Sequence, residues 1–331
     1  MRLLTLAVAL GLGAACYLLV VYPARAKVGA ARSFSFQVPQ GVGALAEALA
    51  DEGVVDSAFL YGAYHRFVAG SDALREGPVL LARNLAPSEV LRRVVEGRGP
   101  VPVRVVIPEG FTRFDIGTRL EEAGVCARDA FLVATSAPPA GVSAPSAEGY
   151  LFPDTYELIQ ESSAEEVVSR LRDNFTRRVN LRSAHGLSEQ QVLVLASIVE
   201  REAAVAGEQR RIAGVFLNRL RSTTFRPLHR LQADPTVAYG CVAEPGRAES
   251  CAGYAGPITR AMLNDRANRY NTYRHGGLPP GPIANPGLGA IEAVIAPEVH
   301  ELLYFVARGG GRHAFAADLA THNENVRRYR R

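Results

Sequence analysis

The feature that most limits how this chain can fold is the run at residues 192–199, Val-Leu-Val-Leu-Ala-Ser-Ile-Val, in which only Ser197 is polar. A helix over such a run has no wet face, so it must pass through the middle of a domain. Its start is well marked: Ser188 and Gln191 have the spacing of a capping box, and Leu187 with Val192 can close the hydrophobic staple outside it. The apolar run ends at a carboxylate, Glu200. Burial penalises the charged form of a carboxyl, so a Glu leaving a dry interior can stay protonated near neutral pH and serve as a general acid. The ordinary alternative is a helix-end Glu paired with Arg201, Arg210 or Arg211, and this stretch alone leaves both readings open.

A chain of 331 residues, 48% apolar, is long enough for two packed domains and a tail. Net charge is only +4, with Arg and acidic residues mixed along the chain, which gives no reason to expect a nucleic-acid partner. Lys27 is the sole lysine, so Schiff-base chemistry and a Gly-Lys-Ser/Thr phosphate loop are both excluded downstream. The seven histidines include no pair at helical metal-ligand spacing, and neither a metal nor a cofactor is expected. Cys241 and Cys251 bracket one polar loop and could form a disulfide in an oxidising compartment, whereas Cys126 reads as a buried thiol.

Residues 3–22 carry no charge and match the length of a membrane-spanning helix. A cleaved signal peptide is the alternative, with Leu-Gly-Ala-Ala-Cys at residues 12–16, but the apolar run continues to Tyr22 and favours a retained anchor. Orientation is poorly specified, because Arg2 stands on one side and Arg25, Lys27 and Arg32 on the other. A repeat follows. Phe-Gln-Val-Pro-Gln-Gly at 36–41 and Val-Val-Ile-Pro-Glu-Gly at 105–110 each read as a short strand, a Pro-x-Gly turn and a helix with a Gly stop. Between them residues 86–97 form a further helix with a Gly end, and nothing in this half groups catalytic residue types.

Residues 136–146, rich in Pro, Ala, Gly and Ser, are the expected domain boundary. Glu148-Gly-Tyr150-Leu-Phe-Pro-Asp-Thr-Tyr suits a sugar-facing loop and a plain core corner equally well. Residues 208–221 place Ile212, Val215, Phe216 and Leu220 on one stripe, a second helix packed on the first. Asp234 before Pro235 reads as an N-cap that can still face a cleft. The Gly- and Pro-crowded residues 270–287 offer Asn271, Thr272 and Tyr273, groups that carbohydrates use. A helix from Asn285-Pro286 to about Ala296, a hairpin over residues 302–316 with a Gly turn, and a last helix complete the chain.

Taken together, Glu-Gly-Tyr-Leu-Phe-Pro-Asp-Thr-Tyr, Leu-Ala-Ser-Ile-Val-Glu-Arg-Glu, Val-Phe-Leu-Asn-Arg-Leu, Leu-Gln-Ala-Asp-Pro-Thr-Val-Ala-Tyr, Tyr-Asn-Thr-Tyr and Gly-Leu-Pro-Pro-Gly-Pro-Ile-Ala-Asn-Pro-Gly resemble the MltG (YceG-like) family of endolytic murein transglycosylases. The resemblance implies an α+β fold in three parts. Residues 1–24 would be a cytoplasmic N-terminus and transmembrane anchor. Residues 33–143 would be a small LysM-like α/β repeat module. Residues 144–331 would be a mixed, mainly helical catalytic domain with a β-hairpin. It also implies a single-pass inner-membrane protein with its body outside the cytoplasm, acting within nascent peptidoglycan glycan strands as a terminase of elongation, with peptidoglycan synthases as candidate partners.

The family's catalytic Glu falls on Glu200, and one carboxyl suffices. It would protonate the glycosidic oxygen and then take the proton of the muramoyl C6 hydroxyl as that oxygen closes a 1,6-anhydro ring. Gln232, Asp234, Asn271, Tyr273, Glu148 and Tyr150 are the candidates to hold the sugars. Two departures stand out: Arg308 where the family has a small or acidic residue in the hairpin turn, and the Cys241–Cys251 loop. The competing classes are a non-catalytic, membrane-tethered glycan-binding scaffold, which would not need an acid at the end of a dry helix, and a lyase of small cytosolic metabolites, which would need no anchor.

Overall fold

The computed structural model describes residues 11, 13–26, 33–71, 74–75, 77–97 and 101–329. The fold is mixed α+β, about half helical, with small two-stranded sheets. The described residues fall into two compact units. One is drawn from Met1–Val103, Ala123–Cys126 and Glu157–Ser163, the other from Arg104–Glu122, Ala127–Tyr156 and Ala164–Arg331.

In the first unit, β1 (Ser33–Val38), α1 (Val42–Asp51), α2 (Ala58–Val68), β2 (Gly77–Ala82) and α3 (Pro87–Glu96) follow in order. β1 and β2 are antiparallel, from Ser33 opposite Ala82 to Val38 opposite Gly77. Alternation along β1 turns Phe36 and Val38 inward, where they meet Leu45, Leu49, Tyr61 and Val90 in one core. Pro87 in the first turn and Gly97, left-handed just past the end, bound α3 as the sequence implies. Of the expected membrane span, residues 3–10 and 12 lie outside the described residues. Among the described residues no helix is long and apolar enough to cross a membrane.

β3 (Pro102–Val106) pairs with β4 (Thr155–Ile159), and the division between the units falls within both strands. β3 leads into α4 (Arg113–Glu122) and α5 (Arg128–Ala134), so the two sequence repeats share a strand-helix-helix order. Their second helices differ in use, since Phe59 is 82% exposed and Phe131 is fully buried. Cys126, expected to be buried, is only half-buried because it sits in the short turn between α4 and α5.

The rest of the second unit runs α6 (Ala164–Arg178), α7 (Glu189–Glu202), α8 (Gln209–Arg221), α9 (Asp234–Ala243), α10 (Arg260–Asn264), α11 (Leu288–Ile295), β5 (Tyr304–Gly309), β6 (Arg312–Ala316) and α12 (Leu319–Tyr329). α7 is the central element. It packs against α8, α9 and α11, and every residue from Val192 to Val199 is buried, which is why the run tolerates no wet face. Its capping box forms as the spacing implies: Gln191 N–H donates to Ser188 Oγ and Ser188 N–H to Gln191 Oε1. Ser197, the one polar residue of the run, donates to Val194 O at 2.7 Å and accepts from Ile283 N at 3.0 Å, which ties the Gly- and Pro-rich loop to the helix.

Two local expectations change. Asp234 is the first residue of α9 rather than its cap, which is Ala233; the Tyr273 hydroxyl, 2.6 Å away, claims the Asp234 carboxylate instead. The helix expected from Asn285 starts at Leu288, because the Asn285 side chain is fully engaged elsewhere. Cys241 and Cys251 are joined in a disulfide beside Val237 and Met262, and a bridge closing so short a loop contributes roughly 2–3 kcal/mol. β5 and β6 form an antiparallel hairpin turned at Gly309, Gly310 and Gly311.

Candidate active site

α7 delivers Glu200 from the dry core to a half-buried position, one residue past Val199. Its Oε2 accepts a hydrogen bond from Gly287 N–H at 3.1 Å, at the N-terminus of α11. Burial pushes the Glu200 carboxyl above the usual range; the Gly287 amide opposes this, the Glu109 charge adds to it and Arg201 opposes it. Arg201 does not close an ion pair with Glu200. Its guanidinium donates to Gly110 O at 3.1 Å.

The backbone around the acid is fixed by one side chain. Asn285 Nδ2 donates to Phe111 O at 3.0 Å and to Glu148 Oε1 at 2.7 Å, while its Oδ1 accepts from Gly149 N at 2.8 Å and Leu151 N at 2.9 Å. Glu148, 1% exposed, also accepts from Arg113 N and from the Tyr239 hydroxyl, each at 3.0 Å. Burial pushes Glu148 up to about 7 against the pull of these donors. Gly149 has no substitute here: its φ is +88° and an added Cβ would stand 2.6 Å from the Pro282 ring. The result is a rigid frame that holds Gly287 over Glu200.

A second acidic group lies around Glu202. Its carboxyl is pushed up to about 7 by burial and by the Asp234 charge, with Arg219 and Arg201 opposing. Arg219 is 5% exposed and is held by Leu303 O at 2.7 Å and by Leu231 O. An acid supported on a dry helix and gripped by a single amide can donate a proton to an oxygen presented from outside and take one back.

The model of the YceG-like family matches residues 36–328. The chain belongs to that family. Similar to this YceG-like chain is an endolytic murein transglycosylase of Bacillus subtilis, 32% identical over 187 residues, 55% of this chain and 48% of that protein. So is an endolytic murein transglycosylase of Streptococcus pneumoniae, 26% identical over 325 residues, 87% of this chain and 57% of that protein. The chain thus spans about half the length of the curated relatives it matches. A crystal structure of a putative yceG-like protein from Listeria monocytogenes superposes with a TM-score of 0.56 at 26% identity, covering 89% of this chain and 99% of that one.

Of the sugar-binding candidates in this YceG-like chain, Asp234 and Tyr273 are brought together by their hydrogen bond, and Gln232 lies beside them with its N–H on Thr272 O at 3.3 Å. Asn271 is fully buried, its amide shared among the carbonyls of Met262, Leu263 and Asp265. Glu148 is the buried tie described above, and Tyr150 is 8% exposed against Phe175, with ring centroids 5.3 Å apart. Sequence reasoning did not single out Glu109, Asn285 or Gly287. Glu109 was legible only as the middle of a Pro-x-Gly turn, and Asn285 only as the start of a helix and, with Gly287, as the end of one motif that carries the family resemblance.

Proposed function

We propose that this chain is an endolytic peptidoglycan lytic transglycosylase that cleaves the MurNAc-GlcNAc β-1,4 bond of nascent glycan strands. The observation that carries the reading is Glu200, raised by burial at the end of a dry helix and held by Gly287 N–H. Both relatives named above carry the name endolytic murein transglycosylase, which supports the substrate class. Glu200 gives its proton to the glycosidic oxygen as the C1–O bond breaks and an oxocarbenium-like centre develops at C1. As the muramoyl C6 oxygen closes onto C1, the Glu200 carboxylate takes the hydroxyl proton. The acid is regenerated, a 1,6-anhydro ring forms and no water is consumed. Gln232, Asp234 and Tyr273 are the groups we assign to holding the sugars, with Asn271, Glu148 and Tyr150 shaping the loops behind them.

Mass spectrometry of digested glycan strands tests this. The expected products carry 1,6-anhydro-muramoyl ends from internal cuts. Reducing ends would mean hydrolysis, and strands that are bound but uncut would favour a tethered glycan-binding scaffold.

The same reading makes residues 3–22 a retained anchor in the inner membrane, with residues 33–143 a LysM-like glycan-binding module and residues 144–331 the catalytic domain. The body then lies outside the cytoplasm, where peptidoglycan synthases are accessible as partners. Reporter fusions after residue 331 check the orientation. The expected signal comes from a reporter that works only outside the cytoplasm; a signal confined to a cytoplasmic reporter would sink it.

A further inference from the structure

Two backbone segments meet over the Glu200 carboxyl, and one of them carries another acid. Gly110 N donates to Asn285 O at 2.9 Å and Asn285 N returns to Phe111 O at 2.9 Å, so residues 109–111 are fixed against residues 285–287. Gly287 N–H points to Glu200 Oε2 at 3.1 Å. Glu109 Oε1 fills the space beside the same residue's α-carbon, 1.8 Å from where a Cβ on Gly287 would stand. Standard bond lengths then place the two carboxyl groups within about 7–8 Å of each other. Glu109 is exposed, and among the described residues no hydrogen bond or ion pair claims its carboxylate.

We propose that Glu109 is a second working carboxylate of this site, a positioning residue whose negative charge acts on Glu200 across the Gly287 amide. The proposal rests on the transglycosylase reading above. Three groups face Glu200: Arg201 from its own helix, the Gly287 amide from the start of α11, and Glu109 from the segment after β3. The first two favour the carboxylate, and Glu109 alone among them favours the acid. A single group that must first give a proton and then recover one gains from a fixed neighbouring anion in both steps, because the proton is present when the leaving oxygen needs it and the resulting carboxylate is a stronger base towards the C6 hydroxyl. Glu109 itself exchanges no proton.

The sign follows directly. Removing the negative charge lowers the proton affinity of Glu200, so the alkaline limb of the kcat/KM profile, where the acid is lost, moves to lower pH. The test compares the full chain with E109Q, E109D and G287A on polymeric glycan strands across pH. In E109Q the limb is expected about half a pH unit lower, with kcat down about twofold at the wild-type midpoint and about threefold further up the alkaline side, and KM little changed. E109D restores the charge and returns the limb most of the way. Gly287→Ala fits the backbone, since φ is −74°, but its Cβ evicts the Glu109 carboxyl and moves the limb in the same direction.

An E109Q limb at the wild-type pH would overturn the proposal, even if activity fell, because a merely structural role would lower the rate without moving the limb. Reducing ends that disappear in E109Q would also overturn it, making Glu109 the base for a water, a role its separation from Glu200 allows. Infrared titration of the protonated-carboxyl band that is lost in E200Q reads the same coupling without turnover. If the wild-type protein cuts no glycan, the transglycosylase reading fails, and the infrared midpoint in E109Q still decides whether Glu109 acts on Glu200.

Discussion

Glu200→Gln is expected to fold like the parent and to lose glycan cleavage by about two to four orders of magnitude while still binding glycan. The amide keeps the shape of the side chain and an oxygen for Gly287 N–H, now 3.1 Å from Glu200 Oε2, but it has no transferable proton. Release of soluble fragments measures the first effect, and co-sedimentation with insoluble peptidoglycan measures the second. Glu202→Gln and Asp234→Asn are expected to cost less, because Glu202 faces Asp234 and Arg219 instead of Gly287. The wild-type rate should fall as pH rises through the raised Glu200 value, since the protonated form does the first step. A fully active Glu200→Gln protein would remove the basis of the functional reading.

Glu148→Ala is expected to lower stability by about 3 kcal/mol, the largest structural effect of a single change near the site. Truncation leaves Arg113 N–H, the Tyr239 hydroxyl and the Asn285 amide facing a buried gap. Each buried donor without an acceptor costs about 1–3 kcal/mol. Because burial raises Glu148 to about 7, its contribution is fullest below the ordinary carboxyl range and is lost as pH rises through about 7. Denaturant midpoints between mildly acidic and neutral pH should therefore fall for the wild type, and Glu148→Gln, which cannot ionise, should flatten that slope. An alanine variant with the parent's midpoint would show that the frame does not depend on Glu148.

Much of the fold was legible because its signals are local. The capping box at Ser188 and Gln191, the dry run to Val199 and the Gly end of α3 depend on spacings of a few residues, and all three form as read. The Cys241–Cys251 bridge was legible for the same reason. Asp234 was misread where a local rule met a distant competitor, since the hydroxyl of Tyr273, far along the chain, outbids the helix amides for its carboxylate. Asn271 looked like a sugar ligand from its composition, yet loop closure buries it against three carbonyls.

By itself, then, the sequence determined that a dry helix would run through the core and carry an acid at its end, because burial and helical periodicity are written in consecutive residues. The tertiary structure alone decided what that acid meets. Gly287 lies 87 residues after Glu200, and Asn285 spans a separation of 137 residues to reach Glu148. The Glu109 carboxylate comes beside Gly287 only because the segment after β3 and the loop before α11 exchange backbone hydrogen bonds. Such pairings follow from how loops satisfy their buried amides once the helices have packed, and no local spacing encodes that.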